Sequence, residues 1–211
     1  MLKQVLKSYV KGLGLYPAYE KLRDNIQLFR WEKAGRPVPP PHPAKKKIIS
    51  EYVKRYGPAI MVETGTYMGD MVQALRRKFK KVYSIEINSY LYNAALERFK
   101  KYLNVNIRQG DSGIILPQVL AEINEPALFW LDGHYSGEGT GRGSADSPVM
   151  RELAFILNHP VKNHVILIDD ARLCDGTNGY PTIEQLKQFL ASFNPNPEME
   201  IKEDIIRIVR K

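Results

Sequence analysis

Acidic side chains stand directly after several of the apolar runs in this 211-residue chain. They are Glu63, Glu86, Asp132 and the adjacent pair Asp169 and Asp170. Carboxylates accept hydrogen bonds from sugar hydroxyls and bind hard divalent cations such as Mg²⁺. In open α/β folds, ligands bind where the strands end, at the carboxyl edge of the sheet. The residue types and their order therefore predict a site for a nucleotide-like ligand, with a metal as a second candidate.

The turn after Glu63 carries two glycines, Gly65 and Gly69, and leads into a segment with helical periodicity. Gly65 can adopt backbone angles closed to other residues, and the first NH groups of a helix have no partners of their own. We expect Gly65 to leave room for the ligand, so that a larger side chain there blocks binding without unfolding the protein. A dinucleotide site would need a second glycine where Thr66 and Tyr67 stand. The alternative is a turn that packs and binds nothing.

With Glu63 before it, this turn resembles the first motif of class I S-adenosylmethionine-dependent methyltransferases, in the E-x-G-T-x-x-G form of small-molecule O-methyltransferases. The resemblance implies that Glu63, Gly65, Thr66 and Gly69 hold the methionine end of S-adenosylmethionine (SAM). It also implies an enzyme that transfers the methyl group of this cofactor.

Two later motifs extend the resemblance to the rest of the cofactor. Glu86 follows the glycine turn at about the 20-residue distance where α/β nucleotide folds place a carboxylate on ribose hydroxyls. Its alternative role is that of an acid before a helix capped by Asn88 or Ser89. The step Asp111-Ser112, preceded by a glycine, resembles the G-D-[SA] motif that contacts adenine in this family. Three acid-ended strands in this order favour SAM as the cofactor.

The residues around Asp132 and around Asp169-Asp170 resemble more narrowly the macrocin O-methyltransferase-like group, which are metal-dependent O-methyltransferases of natural-product sugars. The resemblance implies that these three acids are ligands of Mg²⁺, and that Asp132 also takes part in cofactor binding and catalysis. His134 occupies the position of the proposed base, where the group has an acid. The histidine could instead bind the metal or the substrate, or only bond to the loop backbone.

The elements that must position these residues are strands and helices in alternation. Buried strands are predicted before the acid-ended turns, and the segments Met199–Glu203 and Ile205–Val209 alternate as a terminal strand pair. We therefore predict an α/β fold for residues 58–211, with a doubly wound, Rossmann-like class I methyltransferase sheet and a C-terminal antiparallel hairpin. Residues 1–57 are predicted to form a basic helical extension that contains a proline-rich connector.

Positive charge is concentrated in the extension. Lys and Arg outnumber Asp and Glu by 13 to 4 in residues 1–56, whereas the rest of the chain holds 18 against 19. Such an extension can serve as a lid over the catalytic pocket, as a dimerisation arm in a homo-oligomer, or as a basic surface that binds an anionic membrane. Acidic residues dilute the charge of its second helix. We therefore favour packing or a lid over peripheral membrane contact through residues 1–35.

Composition also bears on partners and compartment. A net charge of +8 invites nucleic acid, but the neutral second part of the chain has no nucleic-acid reading element, which argues against that partner. The single cysteine, Cys174, excludes an internal disulfide framework and fits a reducing compartment. The apolar runs are too short to cross a bilayer, and the basic N-terminus lacks a convincing secretory signal. A cytoplasmic protein is expected.

The combined prediction is a SAM-dependent O-methyltransferase that acts on a hydroxyl group of a small molecule, such as a sugar or a glycoside. The glycine-rich segment 136–148 is predicted to close over the substrate, and its alternative is a plain surface insertion. The alternative function is a non-catalytic module that binds the cofactor or associates with a membrane for regulation.

Overall fold

The structure is a computed structural model that describes residues 16–133, 147–193 and 196–209. The chain forms two compact units, Met1–Ile48 and Ile49–Lys211. The division falls inside a helix.

The first unit contains helix α1 (Tyr16–Lys33) and the start of helix α2 (His42–Tyr56), joined by an irregular connector. Trp31 anchors this connector, because its indole Nε1 donates a 2.8 Å hydrogen bond to the carbonyl oxygen of Pro37. Two salt bridges join α1 to α2. The predicted domain boundary at residue 57 follows the end of α2, and the assignment of separate domains there stays a prediction.

The second unit is built on one seven-stranded sheet with the strand order β3-β2-β1-β4-β5-β7-β6. Strands β1 to β5 run parallel to one another, whereas β7 is antiparallel to both β5 and β6. The predicted fold class is confirmed, including the terminal antiparallel hairpin. The strands are β1 (Ile60–Thr64), β2 (Lys81–Glu86), β3 (Val105–Gln109), β4 (Ala127–Leu131), β5 (Val165–Ile168), β6 (Glu198–Lys202) and β7 (Ile205–Val209).

Helices follow the parallel strands and cover the sheet. Capping side chains fix where two of these helices begin. Asn88 accepts hydrogen bonds from the main-chain NH groups of Tyr90 and Leu91, and Thr182 forms a capping box with Gln185. The helices of this unit after α2 are α3 (Asp70–Leu75), α4 (Ser89–Phe99), α5 (Ser112–Leu120), α6 (Val149–Asn158) and α7 (Ile183–Ala191), with 3₁₀ turns at Arg76–Lys78 and Ala171–Leu173.

The central strands form the core. Every residue of β1, β4 and β5 is buried, as expected for parallel strands that are covered on both faces. Chain order reverses between β1 and β4, which lie side by side in the sheet. Thr64 is paired with Leu131, so the residues that follow these two strands leave the sheet together. Such a switch point opens a crevice at the carboxyl edge of the sheet.

None of the helices in the described ranges combines the length and the apolar composition that crossing a membrane would require.

Candidate functional site

Glu63, at the end of β1, lies in a buried chain of hydrogen bonds. Its Oε2 accepts a hydrogen bond of 2.5 Å from the Ser84 hydroxyl in β2, and the Ser84 and Thr66 hydroxyl oxygens are 2.6 Å apart. Burial raises the pKa of Glu63 to about 8, against the lowering effect of Ser84, and the charge of nearby Glu86 raises it further. At neutral pH this carboxyl group is therefore largely protonated, and it ties the glycine turn to β2 without a full charge.

Glu86, at the end of β2, holds the glycine turn from the other side. Its Oε2 accepts from the main-chain NH of Tyr67 at 2.8 Å, and its Oε1 accepts from the NH of Asn88 at 2.9 Å. Asn88 caps α4, so the helix-terminal role considered for Glu86 is present. A carboxylate can accept about four hydrogen bonds, so each oxygen keeps capacity for a ribose hydroxyl. The two roles are compatible.

Gly65 is required for a reason other than the expected one. Its φ is +88°, and a Cβ atom there would lie 2.4 Å from the carbonyl oxygen of Asp132. The expectation that a larger side chain would block a ligand and leave the fold intact is therefore wrong, because the main chain after β4 fills that space. Gly69 precedes α3 as its N-cap with a φ of +73°, and a Cβ there would meet the Phe99 ring at 2.7 Å.

Asp111 and Ser112 follow β3 at the start of α5. The Asp111 carboxylate caps this helix by accepting a 2.8 Å hydrogen bond from the main-chain NH of Gly113. Ser112 is buried, and its hydroxyl faces the carboxyl group of Glu152 in α6. The motif that resembles an adenine-binding step is thus fixed at the same sheet edge as Glu63 and Glu86.

The three acids after β4 and β5 converge. One ligand atom from each of Asp132, Asp169 and Asp170 lies within 4.8 Å of the others. Asp169 Oδ1 accepts a 3.0 Å hydrogen bond from the NH of Asp170, which has a left-handed backbone with a φ of 56°. A left-handed conformation is uncommon for a residue other than glycine, and here it occurs at the second acid of the pair.

An arginine that the sequence did not single out borders this cluster. Arg172 Nη1 donates a 2.8 Å hydrogen bond to Asp170 Oδ1 and also contacts Asp204 Oδ2 in the β6–β7 turn. Asp204 Oδ1 in turn accepts from the Arg172 main-chain NH at 2.8 Å. The guanidinium group supplies positive charge to the acid cluster. Because Asp204 lies far along the chain, only the tertiary structure could identify this pairing.

Tyr180 is a second residue that the sequence did not select. Burial raises the pKa of its phenol, and the carboxylates of Asp170 and Asp132 raise it further. The phenol therefore stays protonated beside the acid cluster. The turn-rich character of residues 172–181 was a visible signal that this segment lines the rim, but nothing in the sequence distinguished Tyr180 within it.

The acid cluster fits a divalent cation. Carboxylate oxygens are the ligands that Mg²⁺ and Ca²⁺ prefer, and opposite ligands around them are about 4 to 5 Å apart. Ligand atoms that lie within 4.8 Å of one another are therefore close enough to bind one ion. Arg172 would then share Asp170 with the ion.

His134 and the other residues of 134–146 lie outside the described residues. The predicted role of His134 as a base and the predicted closure of segment 136–148 therefore stay predictions. The first helical pattern of the extension, within residues 1–15, also lies outside the described residues.

The sequence matches no protein-family model, and no curated protein matches it. Solved structures do match its fold. An O-methyltransferase from Bacillus cereus in complex with SAH has a TM-score of 0.59 at 18% identity, with 100% of both chains covered. TomG from Streptomyces achromogenes, an O-methyltransferase involved in tomaymycin synthesis, in complex with SAM, has a TM-score of 0.59 at 13% identity over 89% of each chain.

A SAH-bound methyltransferase from Podospora anserina, PaMTH1, has a TM-score of 0.57 at 16% identity, with 88% of this chain and 87% of that chain covered. None of these three is described as a macrocin-like enzyme, so the narrower resemblance stays a prediction. At such low identity the likeness concerns the fold. This chain has the Rossmann-like α/β fold found in these methyltransferases, with its acid-ended strands at the carboxyl edge of the sheet.

Proposed function

We propose that this protein is a SAM-dependent O-methyltransferase that acts on a hydroxyl group of a small molecule. One observation carries the proposal. The ends of β1, β2, β3 and β4 bring Glu63, Glu86, Asp111 and Asp132 to one edge of the sheet, around the switch point between β1 and β4. Structures of the same fold that contain SAM or SAH support it.

In this proposal the cofactor lies across the carboxyl edge. Glu63 and the turn with Thr66 hold the methionine end, Glu86 accepts from the ribose hydroxyls, and Asp111 with Ser112 contacts adenine. Asp132 follows β4 directly beside Gly65, where the methionine end and the reacting methyl group would meet the substrate.

The chemistry needs alignment and the removal of one proton. The substrate oxygen forms a bond to the methyl carbon while the carbon–sulfur bond breaks, and its electron pair stays on sulfur. Holding the oxygen in line with that bond can lower the barrier by about 7 to 11 kcal/mol in favourable cases. The hydroxyl proton goes to His134, with Asp132 as the alternative acceptor.

A divalent ion such as Mg²⁺ would be held by Asp132, Asp169 and Asp170, and when bound it lowers the pKa of a coordinated substrate hydroxyl. Arg172 limits the net negative charge of this cluster. A sugar or glycoside with neighbouring hydroxyls would suit such a centre, and we propose this substrate class.

Cofactor binding is tested by calorimetry with SAM, S-adenosylhomocysteine (SAH) and NAD. We expect SAM and SAH to bind and NAD not to bind. Glu86→Gln should weaken SAH binding by about 5- to 100-fold, because hydrogen bonds to a buried acceptor are lost. Glu97→Gln is the matched control, since Glu97 is exposed on α4 and pairs with Lys100 at the surface. Failure of the parent protein to bind SAH would overturn the proposal.

Methyl transfer is tested with a panel of sugars, glycosides and phenols. A chelator should abolish transfer while SAH still binds, and Mg²⁺ should restore it. His134→Ala should slow transfer by about 10²- to 10⁴-fold, the usual range for a positioned general base. Full activity in chelator would eliminate the metal. Cofactor binding without transfer to any hydroxylated compound would instead favour the non-catalytic module.

For the extension, we propose packing or a lid, with a homo-oligomer arm and anionic membrane contact as alternatives. Deletion of residues 1–35 should lower stability or substrate binding. Sedimentation of the full chain with neutral and anionic vesicles should show negligible binding to either. Salt-sensitive binding to anionic vesicles that disappears with the deletion would contradict this preference.

A further inference from the structure

Glu152 is a buried acid to which neither the sequence motifs nor the proposed function assigned a role. It lies in the first turn of α6 with 1% of its surface exposed. Its Oε1 and the Oγ1 of Thr64 are both buried without a hydrogen-bond partner among the described residues. A buried polar atom without a partner costs about 1 to 3 kcal/mol, so each of these two atoms calls for a partner that the described residues do not supply.

The surroundings of Glu152 are those of the proposed cofactor. Thr64 is the last residue of β1, directly before Gly65, and its hydroxyl faces the Glu152 carboxyl group. The Ser112 hydroxyl, at the start of α5, faces the same group. A Cβ on Gly133 would lie 3.0 Å from Thr64 Oγ1, so the chain after β4 closes one side of this space.

Strand geometry places Thr64 and Glu152 on the face of the sheet opposite to the Glu63–Ser84 hydrogen bond. Successive side chains of a strand point to opposite faces, so Thr64 points away from the face on which Glu63 meets Ser84. The glycine turn is therefore bracketed by two buried carboxyl groups, Glu63 on one face of the sheet and Glu152 on the other.

The charge state of Glu152 suits recognition of an amino group. Burial raises its pKa to about 7, the Ser112 and Thr64 hydroxyls act against this rise, and Asp111 adds to it. Near neutral pH the group can ionise at small cost when a cation or a hydrogen-bond donor arrives. A donor also satisfies Oε1 directly.

We propose that Glu152 Oε1 and Thr64 Oγ1 form a subsite that binds an amino group of the adenosyl cofactor. This inference rests on the proposed function. The cofactor offers two such groups, the ammonium of its methionine part and the exocyclic amine of adenine. The subsite lies between the turn assigned to methionine and the Asp111-Ser112 step assigned to adenine, and each of the two groups can donate an N–H hydrogen bond to Glu152 Oε1.

The test compares three probes on the full chain by calorimetry. SAH carries both amino groups, 5′-methylthioadenosine lacks the methionine ammonium, and S-inosylhomocysteine lacks the adenine amine. Glu152→Met fills the space without an acceptor and should weaken SAH binding by about 10- to 100-fold, as expected for a lost hydrogen bond to a charged group. Glu152→Gln keeps a neutral acceptor and should lose less. Glu97→Met on the exposed face of α4 is the matched control and should bind SAH as the parent does.

The probes identify the occupant. If the ammonium is bound, Glu152→Met weakens SAH and S-inosylhomocysteine and leaves 5′-methylthioadenosine unchanged. If the adenine amine is bound, it weakens SAH and 5′-methylthioadenosine and leaves S-inosylhomocysteine unchanged.

Two results would overturn the subsite while the parent still binds SAH. Unchanged affinity of Glu152→Met for all three probes would mean that Glu152 has no ligand. Equal weakening for all three would mean that Glu152 only supports the fold. If the methionine variant does not fold, the same two outcomes are scored on Glu152→Gln. A parent that binds no SAH would remove the proposed function itself.

Discussion

Buried polar groups lie at both edges of the parallel strands, and their hydrogen bonding differs. At the amino edge, His164 directly precedes β5 and His159 directly follows α6. His164 Nδ1 accepts a 3.0 Å hydrogen bond from the NH of Ala127, and His164 Nε2 lies 3.1 Å from His159 Nδ1. His159 Nε2 lies 3.0 Å from the carbonyl oxygen of Leu120. Every ring nitrogen of this pair has a partner.

The contacts assign the tautomers. Because the NH of Ala127 donates to His164 Nδ1, the proton of neutral His164 sits on Nε2 and is donated to His159 Nδ1. The proton of His159 is then on Nε2, where the Leu120 carbonyl oxygen accepts it. This relay ties the start of β4 to the ends of α5 and α6. An additional proton on either ring would break one of its bonds.

The carboxyl edge is incomplete by comparison. Glu63 and Glu152 are as deeply buried as the histidines, but Glu152 Oε1 and Thr64 Oγ1 lack partners among the described residues. A polar network that is satisfied within the chain stabilises the fold, whereas an unsatisfied one at a crevice is where a ligand contributes most. In our proposal this difference separates an edge that stabilises the fold from an edge that binds the cofactor.

The largest difference between the edges is expected from the two glycines that flank β1. Gly57 precedes the strand with a φ of +63° and open space around it, whereas Gly65 follows the strand against the Asp132 main chain. Gly65→Ala should reduce the free energy of unfolding by roughly 2 to 5 kcal/mol, from backbone strain and overpacking together. Gly57→Ala should cost only the strain, about 1 to 2 kcal/mol. Urea unfolding of both variants measures the two free-energy losses. Equal losses would mean that the main chain after β1 and the main chain after β4 can move apart at the carboxyl edge without further cost.

The next expected effect is a loss of stability at low pH that originates at the amino edge. Burial and the charges of His159 and Lys162 lower the pKa of His164 to about 4, with the Ala127 hydrogen bond acting the other way. Between pH 6.5 and 4 the unfolded chain binds a proton that the folded chain does not, so stability falls as the pH falls. The loss should amount to roughly 2 to 3 kcal/mol.

His164→Asn keeps an acceptor for the Ala127 NH but does not titrate in this range. The variant should be less stable than the parent at pH 7 by about 1 to 2 kcal/mol, because His159 loses a partner. That difference should shrink as the pH falls to 4.5. Urea unfolding at both pH values checks it, and parallel losses in parent and variant would show that the pair does not sense acid.

Local patterns in the sequence predicted most of the fold. Apolar runs, each ending in an acid, marked β1, β2, β4 and β5, because a strand buried on both faces is a continuous apolar segment. The alternation in Ile205–Val209 marked the hairpin. These signals are local, so no knowledge of the partner strand was needed.

The sequence predicted less of the site, because its missing parts depend on contacts between distant segments. Asp132 could be selected as an acid after a strand, but its carbonyl oxygen against Gly65 follows only from the pairing of β1 with β4. The bond from Arg172 to Asp204 needs the hairpin to return beside β5. Glu152 looked like an ordinary polar residue of an amphipathic helix, and its burial could not be predicted from helical periodicity.

The smaller of the two expected pH effects lies at the carboxyl edge, and its sign is opposite to that of the histidine effect. In the unfolded chain Glu63 ionises near its ordinary pKa of 4.5, whereas in the folded protein it keeps its proton until about pH 8. The folded state therefore binds more protons in this range, and stability falls as the pH rises. Glu63→Gln removes this titration and should flatten the loss between pH 5 and 8 by roughly 1 to 3 kcal/mol.

Urea unfolding of parent and Glu63→Gln at pH 5 and pH 8, without cofactor or metal, measures the effect. Glu97→Gln, on the exposed face of α4, serves as the control and should follow the parent. A slope should remain in Glu63→Gln because Glu152 also titrates in this range, and Glu63→Gln combined with Glu152→Gln should remove most of it. Identical slopes in the parent and the combined variant would mean that both glutamates are ionised in the folded protein. The carboxyl edge would then hold charged acids before any ligand binds, and its contrast with His164, which is neutral at these pH values, would be one of charge as well as of hydrogen bonding.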